Sequence, residues 1–366
     1  MNKLSNQLKA LVEKAKKIDW KKVDKRRVSV GVTVVALTLI AISIFNLQRN
    51  GYLSDTTGEP KPADDQLNLS YRHPLTGTLS ENPVDRPQVY AVMVENSSDA
   101  WPQAGVEQAF LVIEAPAEGG IPRFEAFYGA DQDVEKIGPV RSARPYFIDL
   151  ASIFRPLYAH VGGSSAAIAQ IGSEEDILDF DEYYNQYQFW RAADRLAPHN
   201  VFTSTELLAK GLKLRYPSET VFEYDLWEFK DDVDLVDRPG AVADMVINFG
   251  ASVYRVTWKY DREANTYKRF EGTTVQAMED GTELTAHNIA IIETNMQVLD
   301  FIGRLSVRTT GEGNGLFLQD GKAIEVTWKR EATTDLMRFY DKDGKEVKMN
   351  AGQTWIEIVG SLNQVD

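Results

Sequence analysis

The chain of 366 residues contains no cysteine and only four histidines. The first absence excludes disulfides, thiolate metal sites, a cysteine nucleophile and a lipid-modified N-terminal cysteine. The second leaves no pair of histidines at metal-ligand spacing, so neither a metal nor a cofactor is expected. Familiar catalytic signatures are missing as well. Gly163-Ser164-Ser165-Ala166 lacks the Gly-x-Ser-x-Gly spacing of a nucleophile elbow, and no Gly-Lys-Ser/Thr completes a phosphate-binding loop.

One long apolar stretch lacks charge altogether. Residues 28–47, VSVGVTVVALTLIAISIFNL, carry no ionisable side chain, and twenty residues at the helical rise span about 30 Å, the thickness of a bilayer core. Ahead of this run, residues 1–27 hold ten Lys and Arg against three acids; the remaining chain holds thirty basic and fifty-one acidic residues. The basic cluster is expected to stay in the cytoplasm, with 28–47 as a single transmembrane helix and the body extracellular. The alternative is a signal peptide cleaved near Ala41-Ile42-Ser43, although Ile44 and Phe45 prolong the apolar run past that point. So acidic a body repels nucleic acid, and no nucleic-acid partner is expected.

Residues 48–84, rich in proline, charge and turn formers, read as a linker. An α+β body follows: a mixed α/β domain over 85–230, then a β-rich domain over 240–360. In the first, VYAVMVEN (89–96), AFLVIEA (109–115), RFEAFYG (123–129) and LYAHV (157–161) are strand candidates. Helices are expected over 143–154, 165–171 and 205–214, the last capped by Thr203 with Glu206 completing a capping box. In the second, short strand-like runs end at Asp320-Gly321 and Asp343-Gly344, two hairpin turns. The repeated Val-Thr-Trp-Lys at 256–259 and 326–329 is expected to place both tryptophans in the core.

Three polar clusters interrupt the apolar pattern of the first domain. In IGPVRSARPYFIDLA (137–151), Ser142 is a candidate N-cap and Pro145 fits a first turn. Arg141 and Arg144 then lie where cations oppose the helix dipole, so they need a negative partner. Free backbone amides plus two guanidinium forks would hold a carboxylate or phosphate. Internal acids such as Glu114, Glu118, Asp131 or Asp149 could equally close buried ion pairs there. The second cluster runs from His160 through Gly162 and Gly163 to Ser164, a strand-to-helix turn of the kind that exposes backbone N–H groups to ligands. The third places His199 and Asn200 at the entrance of the next helix.

Together these residues resemble the YerB-like bacterial envelope family, which carries two domains of unknown function. The resemblance rests on HPLTG (73–77), WPQAGVEQA (101–109), EGGIPRFEAFY (118–128), EKIGPVRSARPYFIDLA (135–151), AHVGG (159–163) and APHN (197–200). It extends through VYRVTWKYDREANTYKRF (253–270), DGTELTAHNI (280–289), TWKR (327–330), LMRFYD (336–341) and GQTWIEIV (352–359). It implies an extracytoplasmic lipoprotein-like body of Gram-positive-type bacteria, and it implies no reaction. The chain departs from the family at its front, where a transmembrane run replaces the lipid-bearing cysteine. Three functions follow in order: binding of an anionic envelope ligand, a scaffold that binds an envelope protein, and a hydrolase or transferase acting on wall polymers with His160 or His199 as acid or base.

Overall fold

The computed structural model describes residues 71–218 and 223–366. The basic segment, the transmembrane run and the first part of the linker lie outside the described residues. Among the described residues, no helix is long and apolar enough to cross a membrane.

The first half of the body contributes strands β1 (Val89–Glu95), β2 (Leu111–Pro116) and β3 (Pro122–Gly129). Helix α1 (Pro145–Ala151), β4 (Leu157–His160), α2 (Ser165–Ile171), β5 (Leu178–Asp181) and α3 (Thr205–Arg215) follow. The second half opens with a small sheet of β6 (Met245–Asn248), β7 (Arg255–Asp261), β8 (Thr266–Glu271), β9 (Thr274–Val275) and β10 (Thr285–Ala286). It then supplies β11 (Asn288–Glu293), β12 (Gly311–Gln319), β13 (Lys322–Arg330), β14 (Arg338–Asp341) and β15 (Thr354–Val359). The body is therefore strand-rich, with three short α-helices among the described residues.

Segments 85–230 and 240–360 each place five strands in one ten-stranded sheet, in the order β14-β13-β12-β11-β15-β2-β3-β1-β4-β5. The seam is parallel: β15 pairs with β11 on one side and with β2 on the other. Both faces of this sheet are covered, which is why β1, β2, β3 and β15 are buried along their whole length. Alternation divides each strand between two cores. Val89, Ala91 and Met93 join Phe147, Ile148 and Leu150 of α1 on one face. On the other, Tyr90, Val92 and Val94 join Leu208 of α3 and Trp258 and Tyr267 of the small sheet. Each buried Val, Leu, Ile, Met or Phe among them contributes about 1.5–3 kcal/mol, so these cores fix how the strand ends sit.

Local chemistry sets the boundaries. Asp320 and Gly321 have φ of 52° and 71° in the two-residue turn joining β12 to β13, the left-handed pair that an Asp-Gly hairpin requires. The helix expected over 143–154 with Ser142 as cap begins later. Arg144 is its N-cap, Pro145 occupies the first turn, and a 3-10 turn over Ser152–Phe154 ends it. Helix α3 is capped by Ser204, whose hydroxyl accepts from Leu207 N at 3.2 Å. Thr203 lies one residue before the cap position, and its hydroxyl instead donates to the Gln188 carbonyl at 2.8 Å.

Candidate functional site

The end of β1 organises the site. Beyond the pairing of β1 with β4, the 139–141 segment runs alongside: Glu95 N donates to Pro139 O and Arg141 N to Met93 O. The chain then pairs with the turn after β4, where Ala143 N donates to Gly162 O and Ser164 N to Ala143 O. Arg141, Ser142, Arg144, Gly162, Gly163 and Ser164 are thus gathered at the carboxyl ends of two parallel strands, β1 and β4, where ligands collect in open α/β sheets. Gly162 holds φ at 57°, and the Tyr183 ring packs within 3.1 Å of where a Cβ would stand. Any other residue at Gly162 would therefore be strained. Ser164 caps α2 by accepting from Ala167 N at 3.2 Å.

The charged residues divide into closed and open groups. Arg144 is closed: its Nη2 donates to Glu118 Oε2 at 2.8 Å and its Nη1 to the Ala143 carbonyl at 2.7 Å. Arg123 stands 3.8 Å from the same carboxylate and donates to the Ser142 carbonyl at 2.6 Å. Burial pushes the Glu118 carboxyl up, but the bonds and charge of Arg144 outweigh it and hold the group below its usual range. Burial, with Arg144 alongside, brings Arg123 down to about 10. His160 is closed as well. It is fully buried, with Nε2 at 2.8 Å from Asp179 and Nδ1 at 2.8 Å from the Gly162 carbonyl. Nδ1 holds the Gly162 turn, and Nε2 ties the end of β4 to Asp179 of the neighbouring β5. Asn200 is spent on its own loop, receiving Arg191 Nη1 at 3.2 Å and donating to the Arg195 carbonyl at 3.4 Å.

Arg141 and His199 form the open group. They meet on Glu95, a buried carboxylate that no motif in the sequence singled out. Glu95 Oε2 accepts from His199 Nδ1 at 2.9 Å, and Oε1 accepts from Ser97 Oγ at 2.8 Å. Arg141 Nε lies 3.3 Å from Oε1 as an ion pair. Among the described residues the Arg141 guanidinium makes no hydrogen bond, and His199 makes none through Nε2. About a quarter of the Arg141 side chain and a fifth of that of His199 reach solvent. A carboxylate on Nδ1 with Nε2 unbonded is also how a general base is oriented, yet Ser97 donates to Glu95 rather than to His199, so among the described residues no nucleophile is bonded to His199.

The neighbouring residue, Asn96, faces a second polar centre. Its Nδ2 reaches Glu114 Oε1 at 3.3 Å and Glu271 Oε1 at 3.2 Å, while its Oδ1 accepts from Trp101 Nε1 at 2.8 Å and Gln103 Nε2 at 2.7 Å. Arg269 of β8 donates to Glu114 at 2.6 Å and to Glu271 at 2.7 Å. Its guanidinium lies over the rings of Phe124, Trp258 and Trp355. Glu357 stands directly opposite Glu114 across the β15–β2 seam and accepts from Trp258 Nε1 at 2.9 Å. Burial drives Glu114 far above the carboxylate range against the pull of Arg269. Burial likewise brings Glu271 to about 7.

The fold and its strand-end clusters define a two-segment α+β protein of a known domain pair. Residues 75–218 match the family described as "Protein of unknown function (DUF3048) N-terminal domain", and residues 245–356 match its C-terminal domain. The chain belongs to this YerB-like family. It is 34% identical over 300 residues to a protein of Bacillus subtilis (strain 168) named "Putative lipoprotein YerB", covering 79% of this chain and 86% of the relative. The crystal structure of YerB protein from Bacillus subtilis superposes with a TM-score of 0.72 at 31% identity, covering 81% of this chain and 98% of that one.

Proposed function

We propose that this is an extracytoplasmic, envelope-associated protein held at the membrane by residues 28–47, and that its body binds a small anionic group at Arg141 and His199. The name of its Bacillus relative supports the address: a lipid anchor and a transmembrane run both leave the body outside. The binding reading rests on Glu95, which holds Arg141 and His199 side by side while leaving the outer edge of each without a partner among the described residues. The ligand is a single carboxylate or phosphate, such as a peptidoglycan stem carboxylate. A long polyanion is repelled by the excess of acidic residues in the body.

The scaffold reading has its own support, since Arg144, His160 and Asn200 are all spent on internal bonds. A wall-polymer hydrolase ranks third for want of a nucleophile beside His199. Calorimetric titration of the full chain in detergent with a muramyl pentapeptide, and separately with glycerol phosphate, distinguishes them. Binding that weakens at least tenfold in Arg141→Ala and in His199→Ala, and falls with added salt, is the expected result. Absence of binding to both probes, or binding indifferent to both substitutions, leaves the scaffold reading.

A further inference from the structure

A cleft of about 780 Å³ opens beside the Asn96 centre, lined among others by Trp101, Gln103, Val253, Arg255, Glu271 and Thr274. Its size falls in the range of small-ligand sites. Its base is held rigidly. Gln103 Oε1 accepts from Gln276 Nε2 at 3.2 Å, and the Glu271 carboxylate is fixed by Asn96 and Arg269. Trp101 is locked at its indole N–H by Asn96 and packs edge-on against Tyr254, with ring centroids 6.0 Å apart. Arg195 ties down the same loop through the carbonyls of Ala100 and Pro102, at 2.8 and 2.6 Å.

The rim contrasts with that base. Ser252, Arg255, Thr273 and Thr274 are exposed, and among the described residues none of their side chains makes a hydrogen bond. Three hydroxyls and one guanidinium are therefore free to bond a guest, above a fixed carboxyl and next to a clamped indole. We propose that this cleft binds an uncharged saccharide, the rings stacking on the apolar wall of Trp101 and Val253 while their hydroxyls bond Glu271, Arg255 and the rim threonines. Sugar rings present an apolar C–H face and a polar hydroxyl edge, which matches a wall of this composition. A peptide added as a further strand fits poorly, because the edge strand here, β9, offers only two residues of unpaired backbone. An acidic polymer meets a buried carboxyl at the base and an acidic body around it.

The test uses the full chain in a detergent that carries no sugar, titrated calorimetrically with chitotetraose, cellotetraose, maltotetraose and, for comparison, a uronic acid tetramer and an unstructured tetrapeptide. Binding of at least one neutral tetrasaccharide is expected, weakened at least tenfold by Trp101→Ala and at least threefold by Arg255→Ala or Thr274→Val. The two rim substitutions touch no internal bond, so they report even if Trp101→Ala fails to fold. The proposal is overturned if no neutral tetrasaccharide binds to folded protein, or if binding ignores all three substitutions. It is overturned equally if only the uronic acid or the peptide binds.

Discussion

Arg269 Nη2 and Glu114 Oε2 lie 2.6 Å apart, although one belongs to the small sheet and the other to the middle of the ten-stranded sheet. Both side chains are fully buried, so the pair is a polar pin between two layers otherwise joined by Trp258, Tyr267 and Leu284. A buried ion pair adds little net stability when made, but losing one partner leaves an uncompensated group in a dry interior. Arg269→Leu is expected to lower the unfolding free energy by about 3–5 kcal/mol at pH 7, measured by urea denaturation of the body. A loss under about 1 kcal/mol would show that the layers hold without the pin.

The same centre sets a pH dependence. Burial moves Glu271 from 4.5 to about 7, and Glu114 and Glu357 move in the same direction. Groups raised in the folded state bind protons more tightly there than in the unfolded chain. Their contribution is complete below about pH 4.5 and is lost as the pH climbs through 7. Glu118 and Asp320 shift the opposite way, held down by Arg144 and by the bonds of Asn265, Lys230 and Asn350 despite burial. Their contribution stands above the ordinary carboxylate range and fails as the pH falls through their lowered values. Stability should therefore peak near pH 5, with the melting temperature declining from there toward pH 8. Glu271→Gln should flatten that decline. A melting temperature that rises between pH 5 and 8 contradicts the assignment.

The two arginines of the Arg-Ser-x-Arg segment should separate in stability. Arg144→Ala strands Glu118, with only Arg123 at 3.8 Å to answer it, and removes the bond to the Ala143 carbonyl. A loss of about 1–3 kcal/mol is expected by urea denaturation. The Arg141 side chain makes no hydrogen bond among the described residues, so Arg141→Ala should stay within about 1 kcal/mol of wild type. Equal losses from both would place Arg141 among the structural residues.

Much of the framework was legible beforehand because apolar runs and turn chemistry act locally. The buried strands from Val89, Leu111 and Pro122, the helix capped by Ser164 and the Asp320-Gly321 hairpin all follow from neighbours in the chain. The placement of Gly162 and Gly163 between a strand and a helix was legible too, but not the pairing of that turn with the Arg141–Ala143 segment. What could not be read was which acid meets which base. Glu95 simply ends an apolar strand, and its partner His199 lies 104 positions away. On β8 the alternation misleads: Arg269 and Glu271 point inward while Phe270 is only half-buried, because the interior there already holds the carboxyls of Glu114 and Glu357. Pairing across the β15–β2 seam joins residues some 240 positions apart, which no local pattern records.

Glu125 offers the last test. It lies in β3 between Phe124 and Ala126, fully buried, and neither carboxylate oxygen has a hydrogen-bond partner among the described residues. Burial raises its pKa far above the ordinary value; the nearby charge of Arg330 opposes this and that of Asp149 adds to it. An unsatisfied buried polar group costs about 1–3 kcal/mol, and replacing it by an apolar side chain of similar size removes that cost. Arg330 keeps the carbonyls of Asp149, Thr309, Thr333 and Asp335, so it is not orphaned by the change. Glu125→Met should therefore stabilise the body by about 1–2 kcal/mol at pH 7. Because the folded protein binds this proton more tightly than the unfolded chain, the gain should shrink as the pH drops toward 4.5. Urea denaturation at pH 5 and pH 7 measures both, and a destabilised variant at pH 7 would mean that the carboxyl makes a bond to Arg330 or to water that holds this core together.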